Sequence, residues 1–152
     1  MPQIVSNVLG RTGLEPSRLQ LEISESIVLA SESAASTLGS LSELGVSIAI
    51  DAFGTGYAAF AQIQELPFNI VKIDKSFVQS IETGSVSEAI VRSIVNMARV
   101  LDFLVVAEGV EPKAELEIIR DTGCNAVQGY YLCKPLPSEE LESAMSRIDG
   151  LV

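Results

Sequence analysis

Short apolar runs recur along this chain, separated by longer stretches in which apolar side chains fall three and four positions apart. The short runs are LQLEIS (19–24), VSIAID (46–51), NIVKID (69–74), FLVVAE (103–108) and NAVQGY (125–130), rich in β-branched residues and read as strands. The stretches between them read as helices. Ser31 is placed to cap ESAASTLGSLSELG, where Leu38, Leu41 and Leu44 share a face and Gly45 is the stop. In SEAIVRSIVNMARVLD the same spacing aligns Ile90, Ile94, Met97 and Leu101. Pro112 suits a first helical position before KAELEIIRDTG, Gly123 its C′ end, and Ser138 the cap of a last helix over EELESAMSRIDG.

Strands that are nearly all apolar and alternate with helices predict a parallel sheet covered by those helices, an α/β fold. The 152 residues suit one domain, and no linker, repeat or charge block divides them. With 47% hydrophobic and 20% charged residues the chain is expected to be globular. The formal net charge is −10 and histidine is absent, so the basic footprint of a nucleic-acid binder is missing and a Cys/His zinc site is not expected. Cys124 and Cys133 offer no disulfide framework. With neither a signal-like start nor an apolar run of about 18–20 residues, a cytoplasmic setting is the expectation.

Each strand-like run carries a polar residue at or near its C-terminal end: Glu22, Asp51, Lys72, Glu108 and Gln128. A charge inside an apolar strand is costly unless paired or metal-bound. Parallel strands gather their C-terminal ends on one face, so the five are expected to converge on a patch rich in carboxylate with a single lysine. Singly, each has a structural reading. Asp51 can bond to the glycine turn that follows, Glu108 can pair with a lysine, Gln128 can satisfy a strand edge, and Asp74 reads as the N-cap of KSFVQSI. Together they suit a hard cation such as Mg²⁺ or Mn²⁺ and metal-assisted phosphodiester hydrolysis, with Lys72 on a phosphate or on the attacking water.

A rival reading starts from GTGYAA (54–59), which matches G-x-G-x-x-A after a strand, with Asp74 closing the next strand. Against a dinucleotide fold, Asp51, Ala52 and Phe53 separate strand from first glycine, and Lys72 charges the next strand. No P-loop motif is present.

Five motifs, LEISES (21–26), DAFGTGY (51–57), KIDKSFV (72–78), VVAEGVE (105–111) and QGYYLCKPLP (128–137), resemble in order and spacing those of the EAL-domain phosphodiesterases that hydrolyse cyclic di-GMP. The resemblance implies a TIM-like (β/α) barrel whose strand ends form the active face. It implies Glu22 and Asp51 as metal ligands, Glu108 as the carboxylate at the metal-bound water, and Lys72 beside that water. Gln128 corresponds to an active-site glutamine. Glu25 corresponds to a glutamate steadying the loop after DAFGTG, which is linked to metal binding and dimerisation.

Two departures set further expectations. The family has a second aspartate where this chain has Ala52, and a methyl group coordinates nothing. A whole (β/α)₈ barrel needs about 250 residues, and this chain begins in what resembles the helix before the fourth strand. Residues 1–152 are therefore expected to form a single truncated domain of about five strands. The first three strands, with a glutamate and an asparagine that bind metal, would lie outside it. A chain of this kind is expected to have little or no catalysis, with doubtful occupancy by Mg²⁺ or Mn²⁺. It would pair with a second copy of itself as a homodimer across the open barrel face; binding of cyclic di-GMP or a protein partner without turnover is the alternative.

Overall fold

A computed structural model describes residues 1–25, 32–54 and 66–148. Among them, α1 (Pro2–Thr12) leads through a 3₁₀ turn at Pro16–Arg18 into β1 (Gln20–Ser24). Then follow α2 (Glu32–Glu43), β2 (Ser47–Phe53), β3 (Ile70–Ile73), α3 (Lys75–Gln79) and α4 (Val86–Val100). The chain continues with β4 (Leu104–Glu108), α5 (Lys113–Thr122), β5 (Ala126–Gln128) and α6 (Leu141–Ile148). The five strands form one sheet in the order β1-β2-β3-β4-β5, every neighbouring pair parallel. This is the α/β architecture read from the alternation.

Side chains alternate across a strand, and residues in register share a face. One face carries Ile48, Ile50, Val71, Ile73, Val105 and Ala107, all at most 1% exposed. They form one core with Leu38 and Leu41 of α2, Val91, Val95 and Ala98 of α4, and Leu116 and Ile119 of α5. The shared faces expected of Leu38 with Leu41 and of Ile94 in α4 are thus the buried ones, because only those stripes can leave water together. The opposite face, described below, carries the polar residues.

The ends of the elements depart from the sequence reading in particular places. The proposed Ser31 cap lies outside the described residues. Pro112 stands one position before the helix, as the N-cap residue of α5. Ser138 makes no capping bond; it opens a 3₁₀ turn over Ser138–Glu140 and α6 starts after it. The last strand stops at Gln128, two residues short of the expected end, because the chain turns at Gly129 to bond back to Val110. Asp74 caps α3, its Oδ1 accepting from Ser76 N at 2.9 Å. Ser85 caps α4 by accepting from Glu88 N, and Glu88 reaches back to Gly84 N at 2.6 Å. That hydrogen bond, then the one from Arg92, holds the Glu88 carboxyl below its usual range.

Candidate functional site

The registers Glu22↔Ala49, Ser24↔Asp51, Ala49↔Ile70, Lys72↔Val106 and Glu108↔Gln128 place Glu22, Asp51, Lys72, Glu108 and Gln128 on one face of the sheet. That is the face opposite the helix-covered core. The N-terminal halves of the strands line it with Ala49, Ile70, Leu104 and Val106, and the C-terminal halves carry the charge.

Lys72 is the centre of this patch. Its side chain is 5% exposed, and its ammonium lies 2.6 Å from Glu22 Oε1 and 2.5 Å from Glu108 Oε1. Burial by itself would lower the Lys72 pKa. The hydrogen bonds and charges of Glu108 and Glu22 outweigh it and hold the ammonium above its usual value. A strand as apolar as NIVKI tolerates a lysine only because two carboxylates from the flanking strands close on it. Gln20 Nε2 donates to the same Glu22 oxygen at 3.2 Å.

Asp51 stands beside this cluster without joining it. Its Oδ1 accepts from the next amide, Ala52 N, at 2.8 Å. The pairing of β2 with β3 explains why. Ile50 pairs with Val71 and Phe53 with Ile73, so that two residues, Asp51 and Ala52, oppose the single residue Lys72. This is a β-bulge, which re-aims side chains and interrupts the alternation. It puts Ala52 as well as Asp51 opposite the lysine and drives Ala52 to φ +54°, a left-handed conformation that alanine disfavours. Phe53 then returns to the core at 3% exposed. Glu25, at the end of β1 and 6% exposed, accepts from Gly54 N at 3.2 Å, directly after the bulge.

Gln128 is exposed at the end of β5 and is paired in register with Glu108. Its carbonyl accepts from Gly109 N at 2.7 Å and from Val110 N at 3.2 Å, which ties the two strand ends together. Glu108 and Gln128 line a cavity of about 270 Å³ with Lys75, Gln79 and Tyr130. Tyr130 is half exposed, and its ring carries Lys134 Nζ at 5.6 Å. Sequence reasoning missed Lys75, Gln79 and Tyr130 as wall residues. The only signal for Lys75 and Tyr130 was position, just after strands already suspected of carrying the site; Gln79, at the end of α3, had none.

Whether these donors fit a divalent cation can be judged from their arrangement. Among the described residues, no three carboxylate or thiol side chains converge closely enough to hold a metal ion. Glu22 and Glu108 each commit Oε1 to Lys72, and Asp51 is turned onto its own following amide. As arranged, the set does not fit the metal, and it behaves as a closed ion cluster.

A five-stranded parallel sheet, helices on one face and acid–lysine chemistry at the C-terminal strand ends define a barrel-type α/β domain with its site at the strand tips. The profile of the EAL domain matches residues 1–135. The chain belongs to the EAL domain family and is related to cyclic di-GMP phosphodiesterases. It is 41% identical over 143 residues to the bifunctional diguanylate cyclase/cyclic di-GMP phosphodiesterase MucR of Pseudomonas aeruginosa, covering 93% of this chain and 21% of that protein. A solved MucR phosphodiesterase in complex with c-di-GMP superposes with a TM-score of 0.88 at 42% identity, over 92% of this chain and 63% of the other. A manganese and c-di-GMP complex of Klebsiella pneumoniae BlrP1 superposes with a TM-score of 0.81 at 29% identity, over 89% and 36%. The chain spans about a fifth of the length of the curated relatives it matches. No helix among the described residues is long and apolar enough to cross a membrane.

Proposed function

We propose that this chain forms one wall of a cyclic di-GMP site that binds the dinucleotide and hydrolyses it slowly or not at all. The observation that carries the reading is Lys72, held between Glu22 and Glu108 and opposite a bulge that presents Ala52. An ammonium has three donors, and two are committed to carboxylates, which leaves one for a phosphate oxygen. In a chain of net charge −10, this fixed cation and the Gln128 amide are the groups suited to draw an anionic ligand to the strand ends. Lys75 and Tyr130, in the adjoining cavity, extend the same wall. Glu25 steadies the turn after the bulge through Gly54.

Slow hydrolysis follows from Ala52. A methyl group supplies neither charge nor a ligand, and loss of a single electrostatic group from a site lowers the rate by about 10²–10³. Mg²⁺ or Mn²⁺, the cation implied by the family, has no ready-made donor set among the described residues, so no step is assigned to it. Calorimetric titration of the chain with cyclic di-GMP, alongside a turnover assay, tests the reading. Binding with turnover below about 1 s⁻¹ is expected. Faster turnover, or no binding by a folded chain, would sink it.

Self-association belongs to the same reading. The face that carries the site includes Leu104, 53% exposed, and the edge strands β1 and β5 each pair on one side only among the described residues. A second copy covering this face is the expected arrangement. Light scattering should return twice the chain mass; a single-chain mass at micromolar concentration contradicts it.

A further inference from the structure

We propose that Lys72 is the resident cation of this strand end, so that a divalent cation gains Glu22 only by displacing the lysine ammonium from it. The inference concerns what keeps a divalent cation from these carboxylates and what such an ion would have to undo. The misfit between the donor arrangement and a metal is its starting point. Two of the three strand-end carboxylates, Glu22 and Glu108, already share one positive charge at 2.6 Å and 2.5 Å. An incoming dication finds those oxygens occupied and meets a like charge within a few ångströms.

The two sides of the cluster differ in freedom. Lys72 is 5% exposed, on a strand whose four residues are all buried, so its ammonium is fixed. Glu108 is 21% exposed and stands at the tie between β4 and β5. Glu22 is 43% exposed on the edge strand, and among the described residues its side chain is held otherwise only by Gln20, itself exposed. Glu22 is therefore the side chain that can leave. The bulge adds to the balance: with alanine at position 52, the strand carboxylates on this face among the described residues are Glu22, Asp51 and Glu108. Against the one ammonium they leave two net negative charges, enough to balance a single dication and no more.

The probe is Mn²⁺ alone, titrated into the full chain by calorimetry and followed by the spin-resonance signal of the free ion. Lys72→Met keeps the length of the buried stem and removes the charge. Mn²⁺ should bind this variant about tenfold more tightly than the parent, or tighter still. Equal or weaker binding by a variant that melts cooperatively overturns the inference. Acetylation of the parent chain, read by mass spectrometry, supplies a second measurement that needs no variant. Lys72 should become more reactive in millimolar Mn²⁺ while Lys113 and Lys134 do not change. If Lys72→Met fails to fold, indifference of Lys72 acetylation to Mn²⁺ overturns the inference by itself. Cyclic di-GMP is absent from these measurements, so they can fail while dinucleotide binding stands, and the reverse.

Discussion

Replacing Gly129 by alanine is expected to destabilise the fold by about 3 kcal/mol or more, at the upper end for an overpacked position. A β-carbon built on Gly129 would overlap the Val110 carbonyl oxygen and nitrogen and fall 2.8 Å from its carbonyl carbon. These are backbone atoms, which no change of rotamer can move away. Val110 is fully buried, and its peptide groups are committed: its N–H donates to Gln128 O and its carbonyl accepts from Tyr131 N. The alanine methyl must push apart the two loops that set the ends of β4 and β5, and with them Glu108 and Gln128. Urea denaturation would show the midpoint falling steeply. A midpoint within error of the parent would mean that the turn after Gln128 can shift without loss, and that it does not hold the strand ends together.

Ala52→Asp is expected to raise affinity for Mn²⁺ by about tenfold or more without lowering the melting temperature, since ligand charge count tunes divalent affinity. Two observations set the direction. The bulge places position 52 opposite Lys72 in register, so a carboxylate there is expected to join Glu22, Asp51 and Glu108. The backbone at this position has φ +54°, which aspartate tolerates better than alanine does, so the substitution relieves strain and adds none. The added charge also competes with Glu22 and Glu108 for Lys72, and loosens the cluster that a dication must open. Calorimetry with Mn²⁺ and a thermal melt check both halves. Unchanged Mn²⁺ affinity would show that the side chain at position 52 does not reach the strand-end face.

Much of the site was legible before any coordinates. A lysine within NIVKID must find a counter-charge, because an unpaired ammonium in a buried strand is too costly. The carboxylates at the ends of LQLEIS and FLVVAE are the partners that a parallel sheet brings within reach. Glu22, Lys72 and Glu108 were therefore readable as one group from position alone. Their closure into an ion cluster without a metal was not. The choice between a lysine bridge and a cation depends on distances of a few tenths of an ångström that no spacing in sequence encodes. The early end of the last strand misled for a related reason: it lies where tertiary hydrogen bonds, from Gly109 N and Val110 N to Gln128 O and from Tyr131 N to Val110 O, override local preference. Ser138 instead opens a local 3₁₀ turn, in which Glu140 N donates to Pro137 O.

The chain's own order of residues determined the α/β class, the parallel sheet and the end of that sheet where chemistry gathers. Those follow from hydrophobic period and from the cost of burying charge, which act locally along the chain. Only the tertiary structure decided that Asp51 and Ala52 together stand opposite Lys72 in register. Alternation along β2 would have turned position 52 toward the core, but pairing with β3 inserts a bulge that sends Phe53 there instead. The register of one strand against another depends on the packing of both, so the place of the bulge was settled by β3 and the helices beneath it.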